Sequence, residues 1–313
     1  MPAPDILTVD AAAIERAAEL IRAGQCVAVP TETVYGLAAD ATSGEAVARI
    51  YATKGRPSFN PLIVHVGSLD DAATLAGLSR VARRLADAFW PGPLTLVLPA
   101  RADSPVAALA TAGLPTIAIR IPAHPAMQAL IAASGRPLAA PSANASGRIS
   151  ATTAAHVAAS LGERVPLVLD GGPTQHGLES TIVALTDGRM RLLRPGPIDG
   201  VALETVAGNP LSREVDGRIE APGQMASHYA PAKPLRLDAL DRREGEWWIG
   251  FGTVAGDDSL SRSGDLVEAA ARLFDALHRA DAAPAPAIAV APIPDGGLGL
   301  AINDRLRRAA APR

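Results

Sequence analysis

The segment Lys54-Gly55-Arg56-Pro57-Ser58-Phe59-Asn60-Pro61 sets two cations two residues apart just beyond a helix-like stretch, and Pro57 and Pro61 stiffen the loop. If the segment is extended, alternation aims both cations the same way. A converging Lys and Arg suit a polyphosphate, because Arg offers a bidentate fork and Lys a point charge. The same pair also fits a solvated surface loop. In Thr116-Ile117-Ala118-Ile119-Arg120-Ile121 the three isoleucines share one face of a strand, which groups Thr116, Ala118 and Arg120 on the other. An arginine in so apolar a strand wants an anion, either a structural carboxylate or a ligand. His65 alternates in the same way with Leu62, Val64 and Val66, as a satisfied core or edge histidine does and as a ligand-facing one also would.

Three further clusters of small hydrogen-bonding groups sit next to apolar runs. Pro141-Ser142-Ala143-Asn144-Ala145-Ser146-Gly147 follows Leu138 to Ala140, Thr31-Glu32-Thr33-Val34-Tyr35-Gly36 follows Cys26 to Pro30, and Gly177-Leu178-Glu179-Ser180-Thr181 precedes another run. Each alone reads as a turn. Together they suggest one shared anion-binding cavity at strand ends, a usual ligand position in α/β sheets. Neither G-x-x-x-x-G-K-[ST] nor G-x-G-x-x-G after a strand is present, so any nucleotide is held differently. Gly296-Gly297-Leu298-Gly299 has the wrong spacing and reads as a turn before the last helix. The six histidines show no paired metal spacing, and no G-x-S-x-G elbow exists for an acyl-enzyme nucleophile.

The elements that must position these residues alternate between helix and strand. Ala11 to Ala23 has helical periodicity and ends at Gly24, and Cys26 to Pro30 reads as a buried strand. Helices are expected near Glu45 to Thr53 and from Ser79, with strands at Leu62–Val66, Leu94–Leu98, Thr116–Ile121, Leu138–Ala140, Leu167–Leu169, Thr181–Leu185 and Met190–Leu193. Short turns such as Asp187-Gly188 imply antiparallel neighbours and hence a mixed sheet. Residues 209–234 lose periodicity and read as a linker between a domain at 1–208 and a smaller one at 235–313. The latter carries strands at Trp247–Phe251 and Ile288–Ala291 and helices at Asp265–Arg279 and Leu300–Ala310, a small βαβα unit. The fold class is α/β.

Composition narrows the function. The 313 residues are 48% apolar, enough for two cores, but only 3% aromatic, so a base-stacking platform for nucleic acid is disfavoured. A net charge of -3 argues against a broad basic face on polynucleotide phosphates. The single cysteine, Cys26, excludes an intrachain disulfide and reads as a small buried residue. The N-terminal stretch lacks a basic lead and a long apolar run, so neither a signal peptide nor a membrane span is expected, and a cytoplasmic setting is.

At these positions the sequence resembles the Sua5/YrdC family of threonylcarbamoyl-AMP synthases, and the two-domain Sua5 type more closely than the single-domain YrdC type. The likeness runs through Pro30–Leu37, Lys54–Asn60, Gly92-Pro93-Leu94-Thr95, Thr116–Pro122, Pro141–Gly147, Gly177–Val183 and Leu193-Arg194-Pro195-Gly196, then His228-Tyr229-Ala230-Pro231 and Gly297–Leu306. The resemblance implies an open twisted mixed sheet with a large concave cavity, followed by a small Rossmann-like domain. It implies the reaction of L-threonine, bicarbonate and ATP to threonylcarbamoyl-AMP and pyrophosphate. That product supplies the threonylcarbamoyl group of N6-threonylcarbamoyladenosine in tRNAs reading ANN codons.

Carried onto this sequence, Lys54, Arg56, Ser142 and Asn144 form the family's polar signature around the nucleotide. Asn60, Thr116, Ser150, Arg194 and Tyr229 also contact ATP, while Thr33, His65, Arg120, Ala140 and Ser180 hold threonine. Mg²⁺ is expected to arrive with ATP, without a metal cage from the protein. The downstream partner implied is the tRNA threonylcarbamoyl-transfer machinery, with a weak RNA contact left open. Where some members carry basic linker residues before the His-Tyr-Ala-Pro run, Gln224, Met225, Ala226 and Ser227 stand here, and the second domain is short for the Sua5 type. Rival readings are a carbamoyl-adenylating module of the kind found in hydrogenase maturation proteins and an RNA-binding factor.

Overall fold

The computed structural model describes residues 4–213 and 219–312. A large sheet collects β1 (Asp5–Thr8), β2 (Val27–Val29), β3 (Gly36–Asp40), β4 (Ile63–His65), β5 (Leu94–Pro99), β6 (Thr116–Arg120), β7 (Leu138–Ala139), β8 (Leu167–Asp170), β9 (Thr181–Thr186), β10 (Arg189–Arg194) and β11 (Leu211–Ser212). Their lateral order is β1-β8-β2-β3-β7-β4-β6-β5-β9-β10-β11. The sheet is mixed: β4 runs parallel to β6 and β5 to β9, whereas β5 pairs antiparallel with β6 and β9 with β10. The last pair is a hairpin whose Asp187 and Gly188 both take positive φ, as a tight turn matching strand twist requires.

Strand alternation gives the two faces of this sheet different fates. Leu62, Val64, Leu94, Leu96, Leu98, Ile117 and Ile119 point to one side. There they pack under α2 (Gly44–Lys54), α3 (Leu69–Leu75), α4 (Arg80–Phe89), α6 (Ala154–Leu161) and α7 (Gly200–Ala207), through Val47, Ile50, Leu75, Leu85, Val157 and Leu203 among others. On the opposite side, α1 (Ala11–Arg22) and α5 (Pro125–Ser134) cover only the part built from Val27, Val29, Leu138, Leu167 and Leu169. The opposite face of β4, β6 and β9 lies beyond these two helices. Ile63, Ala118, Ile182 and Ala184 there meet Ala221 from the segment that follows the large sheet.

The C-terminal part forms its own parallel sheet from β12 (Leu235–Arg236), β13 (Glu246–Gly250), β14 (Asp258–Ser259) and β15 (Ala287–Val290), ordered β12-β15-β13-β14. It is flanked by α8 (Leu266–Ala282) and α9 (Gly299–Ala310), a small Rossmann-like unit. Its core of Ile249, Phe274, Leu277, Ile288 and Ile302 also takes in Val34, Ile149, Leu178 and Tyr229, so the two parts share apolar packing. Gly177 has φ +65 and a Cβ there would fall 2.4 Å from the Ala271 carbonyl oxygen, so its lack of a side chain permits this close approach to α8. Among the described residues no helix is long and apolar enough to cross a membrane.

Candidate active site

The ends of β4 and β6 on this face and the residues leading into β9 form the floor of a cavity lined by Thr31, Thr33, His65, Arg120, Ser142 and Ser180, with Arg56, Glu179, Arg194, His228 and Tyr229 around them. The register sets the floor: β4 and β6 are parallel with His65 opposite Arg120, so two polar side chains emerge side by side. Arg120 is buried and held from three directions. Its Nη2 pairs with Glu32 Oε1 at 2.6 Å, its Nη1 donates to Thr33 Oγ1 at 2.9 Å and its Nε to the Gly92 carbonyl at 3.1 Å. Burial alone raises the Glu32 pKa, but the Arg120 charge outweighs it and holds the carboxyl below its ordinary range. Burial, reinforced by Arg120, pushes His65 down to about 3, so the imidazole is neutral at neutral pH.

A second group of charges lies around Arg56 and Arg194. The Arg56 guanidinium donates to the carbonyls of Asn60 at 3.2 Å and Pro61 at 3.0 Å, and burial lowers its pKa to about 10. Arg194 reaches Ser180 twice, through the carbonyl and the hydroxyl, both at 3.1 Å. The Ser180 hydroxyl also meets Thr95 Oγ1 at 2.7 Å. Glu179 accepts a hydrogen bond from Ser150 at 2.5 Å on one carboxylate oxygen and from Arg305 at 2.9 Å on the other. His228 and Tyr229 close the top, their rings edge to face at 4.1 Å. Buried cations, buried hydroxyls and a neutral imidazole around one cavity make a binding site for anionic groups.

A family model described as "Telomere recombination", covering Sua5, YciO and YrdC, matches residues 19–196, and one described as "Threonylcarbamoyl-AMP synthase, C-terminal domain" matches residues 198–311. The threonylcarbamoyl-AMP synthase of Bacillus subtilis is 42% identical over 99% of this chain and 96% of its own length. The chain belongs to the Sua5/YrdC family, in its two-domain Sua5 form. The Pyrococcus abyssi threonylcarbamoyl-AMP synthase is 41% identical over 96% of the chain and 94% of its own length. The crystal structure of P. abyssi Sua5 complexed with L-threonine superposes with a TM-score of 0.89 at 38% identity, covering 99% of this chain and 97% of that one. The family carries nucleotidyltransferase chemistry, and this member is such an enzyme.

Against that family pattern, the structure gathers Thr33, Arg56, His65, Arg120, Ala140, Ser142, Ser180, Arg194 and Tyr229 onto one cavity. Lys54, Asn60, Thr116, Asn144 and Ser150 are not among its lining residues. The expectation that Lys54 and Arg56 alternate along an extended segment is corrected. Lys54 is the last residue of α2 and Gly55 caps the helix at φ 62, so the chain reverses between the two cations. Lys54 Nζ is turned inward onto the carbonyls of Ser142 and Asn144, and burial together with Arg56 and Arg164 drives its pKa well below the usual range. Asn144 is also engaged locally, its Nδ2 donating to the carbonyls of Ala145 and Arg148 at 2.9 Å. Asn60 donates to Met225 Sδ at 3.4 Å, and Thr116 opens β6 at the end away from Arg120.

Within the concave site about 40 Å³ is free, its wall completed by the chain's own Pro222, Gly223, His228 and Tyr229. Sequence reasoning quoted Glu32, Glu179 and His228 inside motifs without giving them roles, and it passed over Arg305. The signal for Arg305 was a lone arginine in the buried stripe Ile302, Leu306 and Ala309 of the last helix.

Proposed function

We propose that this cavity condenses L-threonine, bicarbonate and ATP into threonylcarbamoyl-AMP with release of pyrophosphate and water. The observation that carries the reading is the convergence of three buried arginines, Arg56, Arg120 and Arg194, on one cavity. Arg120, with Thr33, His65, Ala140 and Ser180, receives threonine, the guanidinium taking its carboxylate. Arg56, Arg194, Ser142 and Tyr229 receive ATP. Lys54, Asn144, Asn60 and Ser150 support that half from behind, with Thr116 at the far end of the Arg120 strand. Bicarbonate takes up a proton and loses water to give carbon dioxide, threonine's amine captures it and gives up a proton to form a carbamate, and the carbamate oxygen attacks the α-phosphorus as the bond to pyrophosphate breaks. Positioning and charge neutralisation lower the barrier.

ATP cannot fit into about 40 Å³, so the segment carrying Pro222, Gly223, His228 and Tyr229 withdraws to admit it. Mg²⁺ enters with the polyphosphate, whose charge it would share with Arg56 and Arg194; the cavity-lining carboxylate Glu179 is already committed to Arg305 and Ser150. The reading extends to a catalytic domain at 1–208, a linker at 209–234 and a C-terminal domain at 235–313. It places the enzyme in the cytoplasm, handing its product to the tRNA threonylcarbamoyl-transfer machinery, with any contact to RNA weak.

The test is chromatographic detection of an AMP-linked product from ATP, bicarbonate and Mg²⁺, with and without L-threonine. A threonine-dependent adenylate with pyrophosphate release is expected. No product from folded protein sinks the proposal. Arg56→Ala is expected to abolish adenylate formation while leaving the circular dichroism spectrum intact; an unaffected rate would remove Arg56 from the phosphate site.

A further inference from the structure

Arg305 is the only arginine among the described residues with no exposed side-chain surface at all, although it belongs to the C-terminal domain, far along the chain from the cavity. Helix α9 buries it beside Ile302 and Leu306, which pack into the C-terminal core, while its guanidinium reaches the catalytic domain. Its Nε donates to Glu179 Oε2 at 2.9 Å and its Nη1 to the Pro195 carbonyl at 2.8 Å and to Asp304 Oδ2 at 2.9 Å. The guanidinium carbon lies 5.4 Å from the centre of the Tyr229 ring, within cation–π range. One side chain from the second domain therefore touches a carboxylate of the cavity wall, the backbone next to Arg194 and the ring that closes the cavity.

The charges of the cavity fall into two neighbourhoods. Glu32, Arg120 and His65 influence one another, with His124 and His176 nearby. Glu179 instead interacts with Arg305, Arg194 and Ser150, and its charge reaches Lys54, His228 and Tyr229. Glu179 thus stands in the arginine-rich half, where a naked carboxylate would repel polyphosphate. Burial raises its pKa, yet Arg305, then Arg194 and the Ser150 hydrogen bond, outweigh burial and keep it ionised. A buried pair is no stability gain over apolar residues of equal volume, so packing alone does not call for an arginine at this position.

We propose that Arg305 is a positioning residue of the nucleotide half of the site: it neutralises and orients Glu179 and supports Tyr229, so that the C-terminal domain completes the ATP pocket. This rests on the reading of the cavity as a synthase site and gives the second domain a direct part in it. Glu179, held by Arg305 on one oxygen, offers its other oxygen to Ser150 and leaves Arg56 and Arg194 free of competition for phosphate.

The test uses the full chain and two readouts, calorimetric ATP binding with Mg²⁺ and threonine-dependent adenylate formation. Arg305→Met keeps the volume and removes the charge. It is expected to weaken ATP binding roughly ten- to a hundred-fold, the range for losing a hydrogen bond to a charged group, while the threonine KM moves less than about three-fold. Adding Glu179→Gln removes the unpaired carboxylate and is expected to recover at least about ten-fold of the lost ATP affinity. Equal losses for both substrates, or a double variant no better than Arg305→Met, would overturn the proposal in favour of a packing role. If Arg305→Met does not fold, the double variant and Arg305→Lys decide: folding and ATP binding restored by either supports charge compensation, and failure of both overturns it. A wild-type chain that binds ATP but forms no adenylate refutes the synthase reading while the binding series still judges Arg305. A chain that binds no ATP refutes both.

Discussion

Arg120 is already paired before any substrate arrives. Glu32 takes its Nη2 at 2.6 Å, Thr33 its Nη1 and Gly92 its Nε, which fixes the plane of the guanidinium against the cavity. A carboxylate entering beside it meets a cation whose rotamer is set, so little ordering cost is left to binding. Arg120→Ala is therefore expected to raise the threonine KM roughly ten- to a hundred-fold, with the ATP KM changed far less. Glu32→Gln is expected to raise it by a smaller factor, since the amide still accepts from Arg120 but no longer complements its charge. Initial rates with each substrate varied check both, and equal effects on the two KM values would mean a general structural lesion. The arginine was legible because strand alternation isolates it from three isoleucines. Its partner was not, because Glu32 lies in an aperiodic segment and meets Arg120 only through the packing of distant strands. Lys54 was legible as a cation but not in its direction, which the left-handed cap at Gly55 decides.

At the scale of elements, the segment after β11 decides whether the site is open. Ala221 packs on Ile63 and Ala118, Tyr229 on Phe274 at 5.5 Å, and the Ala230 amide donates to the Gly147 carbonyl at 2.8 Å, so both parts of the protein hold it down. Gly223 sits within it at φ +86, and an added Cβ would lie 2.8 Å from both Arg194 Cδ and Tyr229 Oη. Gly223→Ala is expected to destabilise the closed position by about 1–3 kcal/mol, through an unfavourable φ and that clash. Amide exchange along Ala221–Ala230 should then accelerate while α8 and β6 keep their protection; unchanged exchange would place the strain elsewhere. The loss of periodicity in this stretch was readable, but not its return into the cavity, which depends on contacts with both sheets. Elements with clear caps or β-branched alternation, such as α4 behind Ser79 and β6, follow the sequence pattern. Strand β3 escaped it because Gly36-Leu37-Ala38-Ala39 lacks β-branched residues, and α5 because it opens at Pro125 in a stretch dense with proline.

The whole molecule stores neutral histidines at the joints between its parts. His65 lies in the floor of the site, His228 in the segment over it, and His156 stacks on His278 across the boundary between α6 and α8 with ring centres 3.9 Å apart. Burial lowers His65, His156 and His228 to about 3 from an ordinary value of 6.5, with neighbouring positive charges adding to the effect. The folded state therefore binds fewer protons than the unfolded chain between about pH 6.5 and 3, and stability must fall as pH drops through that window. The onset lies above the range where carboxylates such as Glu179 and Glu32 begin to protonate, so it separates histidine effects from ordinary acid denaturation. Urea unfolding from pH 7.5 to 5 should show stability declining below about 6.5 with a limiting slope of at least about three protons taken up, since burial also lowers His124, His176 and His278. His156→Gln should flatten that slope by about one proton and leave the threonine KM unchanged, since it lies outside the cavity. A flat profile from pH 6.5 to 5 would mean that these imidazoles titrate as freely in the native protein as in the unfolded chain, and that the joints open to water on their own.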